Sequence, residues 1–377
     1  MRSITDLKPE LQDAKDEIET PAVLVDLDAM DRNMADYVDF ADEQGISLRS
    51  HVKTHKIPDI AHRQHRMTGG GILCQTLSEA EVMADNGIDD IYLSYMVVEQ
   101  AKLPRLLRLS EKLDKFATTV DGPGNIQPLQ DAAKANDVEL DVILEFDIGL
   151  NRVGVPTVDE AIELAEYIHG LSNLRFAGIM AYEAHVSGQA DSQAEFEELC
   201  HQAMEEVADW VQAIERETPV TIEEVKVGGT STSKFSGKHP IVTEINPGMY
   251  PFNDVGELRR RSYELTKRDC AATVLSTVIS KPTASRAVVD AGSKAISMDI
   301  DGLLPIPKHR EDIEYVRSSE EHGWLTFDSE TDIEVGDKIE FIIPHVCTTI
   351  NLHDSVVGYR DERVEEVWEV QARGKEK

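Results

Sequence analysis

Short apolar, β-branched runs alternate with amphipathic helical patterns through the first two thirds of the chain, and this alternation is typical of parallel βαβ units. Eight runs are predicted as strands, at residues 22–27, 47–52, 72–75, 91–95, 116–120, 140–146, 175–182 and 223–227. Between them, segments such as 78–86 and 158–169 carry apolar residues at helical spacing and are followed by glycine. Eight strand–helix repeats predict an α/β fold of the (β/α)8 TIM-barrel type, although a doubly wound open sheet has the same alternation.

The pattern changes after about residue 260. Five further segments are strand-like and separated by Gly, Pro and Asp clusters, at residues 271–280, 287–291, 338–344, 355–359 and 364–372. This pattern predicts a mostly antiparallel β domain. We therefore expect a barrel at 18–260 and a β-rich domain at 261–377 together with the N-terminal segment 1–17. A length of 377 residues agrees with two domains.

The charge balance excludes several kinds of partner. Acidic residues outnumber basic ones 71 to 38, which gives a formal net charge of −33. Such a chain repels nucleic acid and anionic membranes. The start has no apolar signal-peptide core, and no stretch approaches the ~18 apolar residues that cross a bilayer. We expect a cytoplasmic protein with neither nucleic-acid nor membrane partners.

The surplus of acidic residues also bears on the environment of the protein. It lies in runs such as 13–19, 195–198 and 361–366, which are typical of solvated faces. A net charge this far beyond what solubility needs favours a protein adapted to high salt, where screening weakens self-repulsion. An ordinary acidic cytosolic enzyme is the alternative. The four cysteines have no framework spacing, so we expect no disulfide scaffold.

The second predicted strand ends in a dense cationic segment, Arg49-Ser-His-Val-Lys-Thr-His-Lys56. On a strand, His51, Lys53 and His55 would share one face and point to the mouth of the barrel. A lysine beside other cations has a lowered pKa and can form a Schiff base with a carbonyl group. The alternative is a basic loop that neutralises nearby carboxylates.

Other strand ends supply groups that could hold an anionic cofactor. A glycine-bracketed loop after the sixth strand carries Arg152, which could bind a phenolate or carboxylate. Tyr182 ends the seventh strand, where a tyrosine is also common as a satisfied structural group. After the eighth strand, Gly228-Gly229-Thr230 and then Gly248-Met249 offer backbone N–H groups and a hydroxyl. These loops predict a phosphate cradle.

The later domain contains one pair with metal-ligand character, His345 and Cys347. Two residues apart on a strand, they would face the same way and could bind one ion. A thiolate with an imidazole favours zinc over magnesium or calcium. A buried cysteine near a core histidine is the alternative.

Five segments together carry a family resemblance. They are His51-Val-Lys53-Thr-His55-Lys56, Thr76-Leu-Ser-Glu79-Ala-Glu81, Gly228-Gly229-Thr230, Asp290-Ala-Gly292-Ser-Lys294 and His345-Val-Cys347. In these segments the chain resembles the D-serine dehydratase and D-threonine aldolase family of fold-type III pyridoxal-phosphate enzymes, which have the alanine racemase barrel. Ser50 and Thr348 depart from the family, which usually has proline at both positions.

The resemblance implies roles for individual residues. Lys53 would carry pyridoxal 5'-phosphate as a Schiff base, Arg152 would lie against the ring hydroxyl, and Tyr182 would lie near the ring nitrogen. Gly229, Thr230, Gly248 and Met249 would surround the phosphate. His51 and His55 would join Lys53 in catalysis. His345 and Cys347 would hold a divalent metal, zinc first, with manganese or magnesium as alternatives.

By the same resemblance, the chain is expected to be a homodimeric, metal-dependent lyase acting on D-3-hydroxy amino acids. The family's dehydratases have His-x-Cys at the metal site and its D-threonine aldolases have His-x-Asp, so Cys347 favours a D-serine or D-threonine dehydratase that forms a 2-oxo acid and ammonia. The alternatives are aldol cleavage to glycine and an aldehyde, amino-acid racemisation, and a non-catalytic pyridoxal-phosphate carrier.

Overall fold

The structure is a computed structural model that describes residues 11–187, 189–190 and 192–377. Strands and helices alternate from Ala22 to Ile245. The strands here are β1 (Ala22–Asp26), β2 (Ser47–Leu48), β3 (Ser50–His51), β4 (Ile72–Cys74), β5 (Asp90–Leu93), β6 (Lys115–Val120), β7 (Leu140–Phe146), β8 (Leu174–Ala181), β9 (Val225–Val227) and β10 (Glu244–Ile245). The helices are α1 (Leu27–Gln44), α2 (Pro58–Thr68), α3 (Leu77–Asp85), α4 (Leu103–Lys112), α5 (Pro123–Asn136), α6 (Val158–His169), α7 (Gln193–Glu217) and α8 (Ser233–Ser236).

The strands β2 to β10 form one parallel sheet in the order β2-β10-β9-β8-β7-β6-β5-β4-β3. Only Arg49 separates β2 from β3, and these two strands lie at opposite ends of that order. Leu48 pairs with Ile245, while Ser50 pairs with Ile72. Residues 47–51 therefore act as one broken strand that closes the sheet, and the predicted barrel is confirmed.

The first predicted strand, however, does not belong to the barrel. β1 pairs antiparallel with a later strand at Leu275 and parallel with another at Val356. The place in the barrel that we expected for it is filled by β10, a two-residue strand that the sequence did not reveal. The Ala-Val-Leu-Val run of β1 is as apolar as a barrel strand, so only non-local pairing decides which sheet it joins.

Several helices begin at side-chain caps. The Thr76, Thr157 and Ser192 hydroxyls accept the backbone N–H three residues further on, at 3.2, 3.3 and 3.3 Å. Each cap satisfies an N–H that the first helical turn leaves without an intrahelical partner. Among the helices of the described residues, none is long and apolar enough to cross a membrane.

The second sheet is mostly antiparallel, as predicted. After β10, the chain forms the strands β11 (Ala272–Thr283), β12 (Arg286–Val289), β13 (Ile306–Pro307), β14 (Ile313–Ser318), β15 (Gly323–Phe327), β16 (Lys338–Ile342), β17 (Ser355–Arg360) and β18 (Arg363–Glu369). It also forms the helices α9 (Val255–Arg260) and α10 (Val346–Ile350). The main order of this sheet is β14-β15-β12-β11-β1-β17-β18, and β16 pairs with β11 and β13. The strands β13, β14 and β15 were not predicted from the sequence.

Residue contacts divide the chain into two compact units. The β unit consists of residues up to Ala35, Thr54–Asp59 and Met249–Gly374. The barrel unit consists of Asp36–Lys53, Ile60–Gly248 and Lys375–Lys377. The domain limits expected from the sequence, 18–260 and 261–377 with 1–17, stay a prediction, and residues 1–10 lie outside the described residues.

A buried ionic network lies within the barrel unit. The Arg49 guanidinium pairs with Asp90 at 2.6 Å and with Glu244 at 3.1 Å, and Lys226 reaches Glu244 at 3.1 Å. The Tyr92 ring lies 3.8 Å from the Arg49 guanidinium carbon. Asp90 and Glu244 begin their strands, so the network lies toward the amino ends. Arg49, the first cation of the basic segment, thus neutralises carboxylates.

Candidate cofactor and metal sites

Lys53 lies just beyond the carboxyl end of a barrel strand. The chain leaves β3 at His51 and forms a 3-10 turn over residues 52–54, so the strand that we expected to carry His51, Lys53 and His55 together is wrong. Lys53 and His51 nevertheless converge on one acceptor. The Gln75 Oε1 atom lies 3.3 Å from Lys53 Nζ and 3.1 Å from His51 Nε2.

Gln75 follows β4 and is itself held in place. Its Nε2 donates to the Ser94 carbonyl at 2.7 Å, and its backbone N–H donates to Glu79 Oε1 at 2.8 Å. The amide oxygen is thereby directed toward Lys53 and His51. Sequence analysis missed Gln75, although its position just after a strand was the available signal.

Lys53 lies near charged groups of different burial: Glu145 and His51 are buried, whereas Arg152 is 48% exposed. Desolvation, with the positive charges of Lys53 and Arg152, holds the pKa of His51 well below its usual value, so the ring is neutral near pH 7. Burial raises the pKa of Glu145 to about 7, although the charges of Arg152 and Lys53 oppose that shift. Arg152 Nη2 lies 3.6 Å from Glu145 Oε1. A lysine and an arginine therefore share one neighbourhood with a carboxyl that is easily protonated.

Tyr182 connects Arg152 to the loop after β9. The Arg152 guanidinium carbon lies 5.2 Å from the Tyr182 ring centroid. A Cβ at Gly229 would lie 2.8 Å from Tyr182 Cε2, so only glycine lets this ring approach the loop. The Thr230 carbonyl accepts the Tyr37 hydroxyl at 2.6 Å. Three predicted cofactor residues, Arg152, Tyr182 and Gly229, are thus brought together.

The contacts around Thr230, Gly248 and Met249 do not by themselves indicate a phosphate site. The Gly229 N–H donates to Thr232 Oγ1 at 3.0 Å. The Met249 carbonyl accepts the amides of Phe252 and Asn253 at 3.0 and 2.9 Å and so begins a helical turn. The phosphate roles of Thr230, Gly248 and Met249 stay predictions.

His55 has a different setting from His51. Its side chain is fully buried, and its Nδ1 accepts the Ile57 N–H at 3.0 Å. Its ring centroid lies 5.9 Å from that of Phe252. These contacts shape the turn that follows Lys53, and a catalytic role for His55 stays a prediction.

The barrel unit therefore offers a donor set that suits an anionic aldehyde cofactor. Lys53 supplies an amine, Arg152 supplies a guanidinium, and Tyr182 supplies a ring beside a glycine loop. The two cations match the phenolate and phosphate charges of pyridoxal phosphate. The residues present fit the predicted cofactor.

The predicted metal pair lies in the β unit, at the start of a short helix. His345 is the extended N-cap residue of α10, with φ −144 and ψ 114, and Cys347 lies in the first turn. The strand that we expected here is wrong, because the chain turns into a helix directly after His345. The Val346 N–H donates to the buried Asp254 carboxylate at 3.0 Å, which fixes this start.

Asp299, which sequence analysis did not single out, holds the ring of His345. Its Oδ2 lies 2.7 Å from His345 Nδ1. Its Oδ1 accepts the Thr348 and Ser297 hydroxyls at 2.9 and 2.8 Å. Burial opposes a charged ring, but Cys347 and Asp299 outweigh it and raise the pKa of His345 to about 9. Because Asp299 engages Nδ1, Nε2 is the nitrogen left for a ligand.

The Cys347 thiol completes this donor set. Its Sγ lies 3.4 Å from Thr54 Oγ1 and is partly accessible. An imidazole held by a carboxylate next to a thiol is a ligand arrangement that suits zinc. The residues present fit the predicted divalent metal.

Two family models match the chain. The model described as "Alanine racemase, N-terminal domain" matches residues 25–254, and the model described as "Putative serine dehydratase domain" matches residues 271–359. The first covers all the barrel strands, β2 to β10, and the second covers β11 to β16 and nearly all of β17, together with His345 and Cys347.

Individual proteins are similar over nearly the whole length. The chain is 36% identical over 368 residues to a 3-hydroxy-D-aspartate aldolase of Paracoccus denitrificans (strain Pd 1222), covering 95% of this chain and 93% of that protein. It is 29% identical to a D-threo-3-hydroxyaspartate dehydratase of Delftia sp. (strain HT23), covering 90% and 93%. The crystal structure of a D-threonine aldolase from Filomicrobium marinum is 34% identical, with a TM-score of 0.91 and coverage of 97% and 98%.

Proposed function

Because the chain belongs to the alanine racemase N-terminal domain family, we propose that it is a pyridoxal-phosphate- and metal-dependent lyase that acts on D-3-hydroxy amino acids. Lys53 carries this proposal, since its amine lies at the carboxyl end of the barrel beside Arg152, with Gln75 as its hydrogen-bond acceptor. The similarity to the aldolase and the dehydratase over nearly the whole chain supports a lyase of this kind.

When bound, pyridoxal phosphate supplies an aldehyde that joins an amine and a ring that accepts electrons from the substrate's Cα. Lys53 would hold the aldehyde, while Arg152 and Tyr182 would hold the ring. Gly229 and Thr230, with Gly248 and Met249, would surround the phosphate.

Proton transfer falls to Lys53 and its neighbours. The Lys53 amine would be the base for the proton on the substrate's Cα. His51 is neutral, and it donates its Nε2 proton to Gln75, which leaves Nδ1 as an acceptor. His51 and Lys53 therefore both donate to Gln75 Oε1, which holds the two side chains in place. His55 is included as a further catalytic residue of the proposal.

His345 and Cys347 would hold zinc, or manganese or magnesium in its place. This ion would act as a Lewis acid on the substrate's β-hydroxyl group. Asp299 fixes the His345 ring so that Nε2 is presented as the ligand atom. Racemisation does not involve the β-hydroxyl group, so a racemase would not need a metal there. A non-catalytic carrier would not need the metal ligands His345 and Cys347. Both arguments support a lyase.

For the reaction itself, we propose dehydration of D-serine or D-threonine to a 2-oxo acid and ammonia. Cys347 supports this choice, because it matches the His-x-Cys pattern of the family's dehydratases. Retro-aldol cleavage to glycine and an aldehyde is the second candidate. It is favoured by the identities of 36% and 34% to two aldolases, against 29% to the dehydratase.

Product analysis tests the proposal. The full-length protein, loaded with pyridoxal phosphate and zinc, is incubated with D-serine, D-threonine and D-3-hydroxyaspartate, with and without a chelator. We expect a 2-oxo acid and ammonia, lost on chelation and in Lys53→Ala but kept in the exposed control Lys134→Ala. Glycine supports the second candidate, whereas an L-isomer or no turnover contradicts the lyase. Borohydride should fix the cofactor covalently at Lys53.

The substitution Cys347→Asp tests the proposed metal ligand. An oxygen ligand in place of sulfur is expected to shift preference from zinc toward magnesium or manganese. Metal selectivity is measured by competition between zinc and manganese in wild type and variant. Unchanged selectivity would contradict the assignment of Cys347.

We further propose a homodimer that works in the cytoplasm. Light scattering of the full-length protein measures the mass in solution, and a mass near the 42.0 kDa of one chain contradicts the dimer.

A further inference from the structure

A second group of potential metal ligands lies in the barrel unit, on α7 and in the turn after α8. His201 and Glu205 are four residues apart on α7 and therefore lie on the same helix face. His239 follows α8, in the turn that leads to β10. One nitrogen or oxygen atom from each of the three residues lies within 4.8 Å of the others.

The spacing of these atoms fits a metal better than a hydrogen bond. Both His201 Nε2 and His239 Nε2 lie 3.4 Å from Glu205 Oε1. This is beyond the usual 2.7–3.2 Å range of such hydrogen bonds. Ligands bound at about 2.1 Å to a tetrahedral zinc ion are separated by about 3.4 Å. Both histidine nitrogens are therefore already at the separation from Glu205 Oε1 that an ion requires, and all three ligand atoms lie within 4.8 Å of one another.

Burial and charge support the same arrangement. The His239 side chain is only 7% exposed, so its ring is fixed by packing, while His201 and Glu205 are more than half exposed. The ring of His201 lies against that of His239, with centroids 5.4 Å apart. The residues of α7 include eight acidic side chains and one arginine, which gives the helix a field that attracts cations.

We propose that His201, Glu205 and His239 bind a divalent transition metal ion, with zinc as the ion best matched by two imidazoles and one carboxylate. The exposed side leaves room for water as a fourth ligand. Ligation through His239 Nε2 moves the ring proton to Nδ1, so the 3.3 Å contact from the Ile241 N–H is given up. The ion would tie the turn before β10 to α7.

This inference does not depend on the proposed lyase activity. The site lies within the barrel unit and uses none of the residues assigned to the cofactor or to the metal pair of the β unit. Its function would be to brace β10, the short strand that completes the barrel. Binding should therefore stabilise the fold even when no pyridoxal phosphate is present.

Cobalt titration of the full-length, chelator-stripped protein tests the site. We expect His201→Ala and Glu205→Gln to bind one equivalent less than wild type, or to bind that equivalent at least ten-fold more weakly. The exposed control His169→Ala, which removes a histidine from α6, should bind as wild type does. Equal binding by wild type, His201→Ala and Glu205→Gln overturns the proposal.

Two further readouts separate this site from the pair in the β unit. Thiolate ligation by Cys347 adds a near-ultraviolet charge-transfer band, which a site of nitrogen and oxygen ligands lacks. Loss of that band in Cys347→Ala, with the His201-dependent equivalent retained, supports the proposal. Zinc should also raise the melting temperature of Cys347→Ala, and addition of His201→Ala should abolish that rise. A rise that persists in the double variant overturns the stabilising role.

Discussion

At the scale of single residues, Asp299 is expected to control how tightly the β unit holds its metal. It positions His345 through a 2.7 Å contact to Nδ1 and is itself held by Thr348 and Ser297. Carboxylates that orient metal-bound histidines are typically worth 10–100-fold in affinity. We predict that Asp299→Asn weakens zinc binding by about ten-fold or more. Calorimetric titration of full-length protein measures this.

The matched control for that variant is Asp301→Asn, which removes an exposed carboxylate two residues away. It should bind zinc as wild type does, because it changes net charge equally without touching His345. Equal affinity in Asp299→Asn and Asp301→Asn would contradict the positioning role.

Glu145 is expected to make stability depend on pH. Burial raises the pKa of its carboxyl to about 7 from an ordinary 4.5, so the folded protein favours the protonated form. Stability from this group is present below about pH 4.5 and is lost as the pH rises through 7. The shift corresponds to roughly 3 kcal/mol.

Urea unfolding of wild type and Glu145→Gln, at pH 5 and pH 8 and at one salt concentration, measures this contribution. Wild type should lose more unfolding free energy between the two pH values than the variant, because glutamine cannot ionise. Parallel losses in both proteins would show that Glu145 does not titrate in this range.

Some site residues can be recognised from the sequence around them, whereas others are identified only by contacts that the fold creates. Lys53 and Arg152 could be proposed from the sequence, because both follow strands and carry the charges that a phosphate cofactor would need, and their roles stay predictions. Gln75 has no charge to mark it, and its importance lies in contacts to Lys53 and His51 that only the barrel creates. Asp299 lies 46 residues before His345, so no spacing rule joins them.

At the scale of secondary-structure elements, local sequence predicted most strands but not all of their partners. β1 has the composition of a barrel strand yet pairs in the other sheet. β10 has two residues, too few for any periodicity to be detected. The segment after His345 was predicted as a strand, but the Asp254 carboxylate binds the Val346 N–H and stabilises a helix start. Non-local contacts decided each of these three cases.

β10 also depends on a buried carboxylate. Although burial opposes ionisation, Arg49 and Lys226 hold the pKa of Glu244 below its usual value. Removing one partner of a buried ion pair typically costs 3–5 kcal/mol, since the remaining charges are left unpaired. We predict that Glu244→Gln lowers the free energy of unfolding by about 3 kcal/mol. Chemical denaturation monitored by circular dichroism measures it.

The control for this substitution is Glu163→Gln on the exposed face of α6. A surface change of this kind usually stays within about 0.5 kcal/mol. If both variants lose the same small amount, the network does not stabilise the closing strand.

At the scale of the whole molecule, the net charge of −33 sets how the fold responds to salt. Repulsion among carboxylates destabilises the compact state at low ionic strength. The Debye length falls from about 10 Å at 0.1 M to about 3 Å at 1 M, so added salt removes that repulsion. Surface pairs such as Arg175 with Asp141 weaken at the same time, but acidic residues outnumber basic ones 71 to 38, so relief of repulsion dominates.

We therefore predict that the free energy of unfolding rises steadily as potassium chloride increases from 0.1 to about 2 M, a range over which screening of surface charges is completed. Thermal unfolding followed by circular dichroism at each concentration measures the rise, and equimolar glycine betaine is the control, because it is excluded from protein surfaces without screening charge. A rise with salt that exceeds the rise with betaine, which stabilises folds by exclusion alone, identifies screening as the cause and supports adaptation to high salt. If the free energy of unfolding stays constant or falls as potassium chloride increases, the protein is an ordinary acidic enzyme. Its carboxylates would then be too far apart for their repulsion to destabilise the fold.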